Sequence, residues 1–237
     1  LGLPPAGAAA ETLAPPRLEI QTHALANGLR VVLAPDRSRP IVNVQVWYHV
    51  GSKDEKAGRT GFAHLFEHMM FRGSRNVGPE EHMRLIREAG GVVNAYTSFD
   101  QTVYWQTVPS NHLERVLWLE ADRMASLDVS EENFIKEREV VKEERRLRFE
   151  TPPFGLLAED TLAATFQAYP YKYTPIGSMA DLNAASIEDV RAFHRTFYVP
   201  DNATLVVVGD FDPAQALAGA TQYFGGIPRG ATPVPRA

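Results

Sequence analysis

The chain has 237 residues, a length that suits one large domain or two small ones and is ample for a buried core. Its formal net charge is −5, with acids and bases interspersed and no basic stripe, which argues against nucleic acid as a partner. Cysteine is absent, which excludes disulfides, thiolate zinc ligands and thiol catalysis, and no apolar run approaches the roughly 20 residues that a membrane-spanning helix needs.

Residues 1–16 read as a flexible lead-in. Ala8-Ala9-Ala10 before Glu11 matches the small-residue end of a secretory signal, which implies export to a periplasm or the medium; an Ala/Pro linker accounts for the same residues equally well. Arg17 to Leu25 and Leu29 to Pro35 alternate as strands around the turn Asn27-Gly28. Ile41 to Val50 is a third strand whose even positions (Val42, Val44, Val46, Tyr48, Val50) are apolar throughout. A polar loop over 51–60 leads into a helix over about 61–71. Pro79 opens a second helix that ends near Gly90-Gly91. Residues 92–98 and 101–108 form a strand pair around Phe99-Asp100. Helices follow over about 110–127 and 130–150, each with Ser ahead of a Glu-bearing first turn, and then near 154–167, 186–197 and 213–224. Ala203 to Gly209 is a buried strand. Early strands, a helical middle and one late strand predict an α+β domain: a mainly antiparallel sheet with helices packed on one face. The Pro-rich end from Ile227, above all 229–237, reads as a linker toward a second domain.

The chemistry concentrates in His64-Leu65-Phe66-Glu67-His68. Residues four apart share a helix face, so both imidazoles reach one point, and Glu67 projects to the same side. Two imidazoles and a carboxylate equip a catalytic zinc site, which needs a third protein ligand and an open position for water. The metal lowers the pKa of that water to about 7, and Glu67 can take its proton. Phe62, Ala63, Leu65, Phe66, Met69, Met70 and Phe71 make the helix apolar nearly all round, hence buried, and buried imidazoles need partners. The helix over 130–150 offers the third ligand. Most of its acids belong to a solvated face, but Glu137, Val141 and Glu144, with Val140 beside them, share one stripe expected to face inward, while Glu139 and Glu143 lie opposite. Either Glu137 or Glu144 can ligate, with the other orienting a ligand; helical geometry alone does not choose.

The segment GRTGFAHLFEHMMFRGS resembles the pitrilysin/insulinase peptidases, the mitochondrial processing peptidase among them, whose zinc motif has this inverted His-x-x-Glu-His order. The resemblance extends over Gly51-Ser52, Gly90 to Tyr96, the run Glu137 to Glu144 and Tyr198 to Gly209, and spans nearly all of Arg17 to Pro228. It implies a zinc-binding peptidase domain over 17–228, with His64, His68 and Glu144 on one Zn2+, Glu67 as the catalytic base and Glu137 supporting a ligand. It also implies a peptide or unfolded-protein substrate, and a second homologous domain or subunit that closes over it. Gly90 to Thr97 resembles the family strand that pairs with the substrate backbone, which makes Asn94 and Ala95 substrate-binding candidates; an edge strand holds an extended peptide through main-chain hydrogen bonds. Phe71 is a third, either lining the pocket or packing in the core. The family also contains partner subunits whose motif has decayed, so a non-catalytic peptide-binding or structural subunit is the alternative. His23, His49, His82, His112 and His194 are scattered and read as structural or surface residues; Arg145, Arg146 and Arg148 read as partners of helix acids.

Overall fold

A computed structural model describes residues 19–167 and 170–236. The lead-in and its signal-like end therefore lie outside the described residues, as does the start of the first strand. In chain order the elements are β1 (Gln21–Ala24), β2 (Arg30–Pro35), β3 (Ile41–Tyr48), α1 (Phe62–Met69), α2 (Glu81–Glu88), β4 (Val92–Thr97), β5 (Thr102–Pro109) and α3 (Leu113–Ser126). They continue with α4 (Glu131–Arg145), α5 (Leu157–Thr165), α6 (Met179–Ala184), α7 (Ile187–Phe197), β6 (Ala203–Gly209) and α8 (Pro213–Phe224).

The six strands form one sheet in the order β1-β2-β6-β3-β5-β4. Every neighbouring pair is antiparallel except β2 and β6, which run parallel. The fold is thus the α+β arrangement that the element order predicts. On β3, Val42, Val44, Val46 and Tyr48 are wholly buried, while Asn43, Gln45 and Trp47 are half-buried on the other face. That second face carries a polar ladder: Asn43 Nδ2 donates to Thr107 Oγ1 (2.8 Å), Gln45 Nε2 to Asn43 Oδ1 (2.7 Å) and Trp47 Nε1 to Gln45 Oε1 (2.6 Å). Period-two alternation decides which face the helices cover. Helix α3 packs on β3 and β5, α1 on β4 and β5, and α8 on β2.

Several boundaries depart from the expectation. Helix α2 starts at Glu81 rather than at Pro79, because Glu80 takes a left-handed conformation (φ 62°) and turns its amide back to the Phe71 carbonyl. A 3-10 turn over Ser110–His112 precedes α3, and α4 passes into a π-helical turn over Arg146–Glu150. Val140 is exposed: on α4 the buried positions are Asn133, Phe134, Glu137, Val141 and Arg145, with Glu144 partly covered. Residues 228–236 form no helix or strand and are tied back to the body, Gly230 N–H to Asp201 Oδ1 (2.9 Å) and Arg236 Nη1 to Asn202 Oδ1 (3.0 Å). Among the described residues no helix is long and apolar enough to cross a membrane.

Candidate metal centre

Helix α1 lies between α4 and the edge strand β4. Phe62, Ala63, Leu65, Phe66 and Met69 are buried and anchor it in the core. Its first turn has no local side-chain cap: Gly61 occupies the N-cap position at φ 94°. The cap comes from upstream, where the buried Glu55 carboxylate accepts the amide hydrogens of Gly61 and Ala63, each at 2.9 Å. Burial pushes the Glu55 carboxyl up to about 8 against these hydrogen bonds. Gly177 packs directly on Gly61, so close that a Cβ on Gly177 would lie 2.5 Å from the Gly61 Cα; both sites exclude any side chain. At the other end Tyr104 Oη donates to the Phe66 carbonyl (3.0 Å).

So held, α1 aims His64, Glu67 and His68 at α4 and β4. The two imidazole centroids are 4.9 Å apart at 72°. Glu144 Oε2 lies 3.1 Å from His68 Nε2 and 3.6 Å from His64 Nε2. Among the described residues this is the one group of three whose ligand atoms converge, all within 4.8 Å of one another. Tetrahedral ligands bonded at 2.0–2.1 Å sit roughly 3.3–3.4 Å apart, and the two measured separations bracket that value. Burial, with repulsion from His68, holds the His64 imidazole down at about 4, so its lone pair is available. Hydrogen bonding to His68 keeps Glu144 below the usual carboxylate range despite its partial burial. Burial lowers the His68 imidazole, but hydrogen bonds to Glu137 and Glu144 outweigh it and raise it to about 9, so a metal at this point would displace its proton. Two imidazole nitrogens and one carboxylate oxygen are the protein donor set of a catalytic zinc site, so these residues fit the metal.

The surroundings assign each remaining acid a different place. Glu137 Oε2 faces His68 Nδ1 at 3.3 Å, on the side away from Glu144. Burial raises the Glu137 carboxyl, but His68 and Arg72 outweigh it and hold it low. Glu67 accepts a hydrogen bond from Thr97 Oγ1 of β4 (2.7 Å), and burial lifts its carboxyl above the ordinary range. Sequence reasoning missed Thr97, Arg72 and Glu55. Thr97 shares the inward parity of the buried Ala95, and a polar residue at an inward strand position is the signal that points to it. Asn94 lies on the exposed face of edge strand β4, its Oδ1 accepting the Ala95 amide (2.9 Å). Phe71 is half-buried, its ring edge-on to His82 and Tyr104 with the Arg123 guanidinium 5.3 Å from its centroid. Arg146 and Arg148 pair within the helix to Glu143 (2.9 Å) and Glu144 Oε1 (2.8 Å), whereas Arg145 reaches Glu159 of α5 and the Gly177 carbonyl.

Comparison with known proteins identifies the family of the chain. Residues 30–177 match the family described as insulinase (peptidase family M16), and residues 184–237 match the peptidase M16 inactive domain. Strand β6, in the second span, sits between β2 and β3 of the first, so both spans build one sheet. The zinc protease PqqE of Helicobacter pylori is 37% identical over 201 residues, which cover 84% of this chain and 45% of that protein. The crystal structure of a protease from Helicobacter pylori superposes with a TM-score of 0.90 at 34% identity, covering 93% of this chain and 53% of that one. The first half of the periplasmic protease PqqL from Escherichia coli gives 0.81 at 28% identity, covering 92% and 48%. The chain thus spans about half the length of the first of these relatives. It belongs to the insulinase family of peptidases, peptidase family M16.

Proposed function

We propose that the protein is a zinc-dependent endopeptidase that hydrolyses peptides or unfolded polypeptides, with one zinc ion per chain held by His64, His68 and Glu144. The observation that carries the reading is the convergence of those three donors beside a further acid, Glu67, that is not among them. When bound, zinc acidifies a water and polarises a carbonyl oxygen. Glu67 takes the proton of the attacking water as its oxygen bonds to the carbonyl carbon, and passes that proton to the amine as the C–N bond breaks. Its raised affinity for a proton suits both transfers, and the Thr97 hydroxyl holds its Oε2, which would leave Oε1 for the water. Glu137 fixes the ring of His68.

The free edge of β4 offers an extended peptide a row of main-chain donors and acceptors. Asn94 and Ala95 sit on that edge as the residues that would meet the peptide, and Phe71, just past the end of α1, is the third candidate contact. A second homologous domain or subunit closes over the peptide, in keeping with relatives about twice this length. The test is a pair of variants. Glu67→Gln keeps zinc and loses hydrolysis by roughly 10²–10⁴-fold, and His64→Ala loses both; cleavage by Glu67→Gln at the wild-type rate refutes the mechanism. A second reading, a non-catalytic subunit, is favoured by the match of residues 184–237 to an inactive domain. Zinc content separates the two: about one ion per chain supports the enzyme and none supports the scaffold.

A further inference from the structure

Every hydrogen-bonding oxygen of Glu137 is engaged, and the two oxygens look in opposite directions. Oε2 faces His68 Nδ1, while Oε1 accepts from Arg72 Nε. Glu137 is almost wholly buried, its side chain 3% exposed, so an oxygen left without a partner there is costly. Arg72 in turn is secured at three points. Its Nη1 donates to Glu80 Oε1 (3.0 Å), and its carbonyl accepts from Asn133 Nδ2 of α4 (3.3 Å), one turn before Glu137. Glu80 is set beside it because its own amide hydrogen-bonds the Phe71 carbonyl (2.9 Å), and Glu80 holds a left-handed backbone (φ 62°) that a residue with a Cβ adopts only at a cost. The other imidazole has no comparable support: His64 Nδ1 is buried without a hydrogen-bond partner among the described residues. Outer support for the histidine pair therefore runs through one arm, Glu80–Arg72–Glu137–His68.

We propose that Arg72 is a positioning residue that works through Glu137: by occupying Oε1 it fixes Oε2 on His68 Nδ1 and so aims His68 Nε2 at the metal position. The proposal rests on the zinc reading above. Arg148 provides an internal comparison. It too holds the far oxygen of a carboxylate, Glu144 Oε1, but its side chain is 72% exposed, and exposed pairs contribute little.

The experiment measures zinc dissociation constants for the full-length protein by competition with a chromophoric chelator. Outer partners of metal ligands typically change affinity by about 10–100-fold, and Arg72→Gln is expected in that range. Arg72→Lys recovers part of the loss, Arg148→Gln costs no more than about fivefold, and Arg72→Gln costs nothing further once Glu137→Gln is in place. The last arm separates positioning through Glu137 from a general loss of stability, which would persist in both backgrounds. The proposal is overturned if Arg72→Gln binds zinc like the wild type, or if its effect is the same with and without Glu137. Should Arg72→Gln fail to fold, Arg72→Lys carries the test, and zinc binding unchanged from the wild type overturns it. Wild-type protein that takes up no zinc refutes the zinc reading instead.

Discussion

Three glutamates surround His68, and what each one touches separates their roles. Glu144 meets Nε2, Glu137 meets Nδ1, and Glu67 turns to Thr97. Because Thr97 holds Glu67 through a single hydrogen bond, Thr97→Val is expected to lower kcat about tenfold while zinc content stays at the wild-type level; misplaced catalytic groups cost rate before they cost metal. Steady-state kinetics with metal analysis checks this, and an unchanged kcat contradicts it. At this scale the motif was legible because both imidazoles and Glu67 sit within five residues of one helix. Thr97, Arg72 and Glu55 were not: Thr97 meets Glu67, and Arg72 meets Glu137, only once distant elements pack together, Glu55 lies in a loop without a period, and periodicity does not say which element lies opposite.

Helix α1 is short and apolar, and its start is held by a side chain from the loop upstream, Glu55. Glu55→Ala removes the carboxylate that accepts the Gly61 and Ala63 amides, and is expected to destabilise the fold by about 1–2 kcal/mol, as loss of an N-cap does. Urea unfolding measures this; an unchanged midpoint contradicts the assignment. The sheet was legible in its strands, since β3 alternates strictly and β6 is an apolar run. The parallel pairing of β2 with β6 was not, because pairing direction depends on the path of everything between them. Helix α6, six residues long, is too short for a period to declare itself. Val140 shows the limit of helical-wheel reasoning: it lies next to the Glu137–Val141–Glu144 stripe yet faces solvent, because the stripe that α4 buries is narrow.

Across the molecule, a second buried polar cluster, drawn from α2, β5 and α3, lies against Phe71 just past the end of α1. His82 Nε2 meets Gln106 Oε1 (3.1 Å), Gln106 Nε2 donates to Glu120 (2.5 Å), and Arg123 pairs with Glu120 beneath Phe71 and Tyr104. Burial, with repulsion from Arg123, holds His82 down at about 3. The unfolded chain protonates this imidazole near pH 6.5 and the folded chain does not, so stability is full above 6.5 and falls as pH drops toward 3. Replacing His82 with Gln removes that dependence: between pH 6 and 4 the variant should lose less stability than the wild type, by up to about 1.4 kcal/mol per pH unit. Parallel urea-midpoint profiles contradict it. The central claim concerns the cation itself. Anomalous scattering at the zinc absorption edge, from crystals of the metal-loaded protein, should place one peak about 2.0–2.2 Å from His64 Nε2, His68 Nε2 and Glu144 Oε2. A map without that peak, or a zinc site from which Glu144 is turned away, contradicts the account.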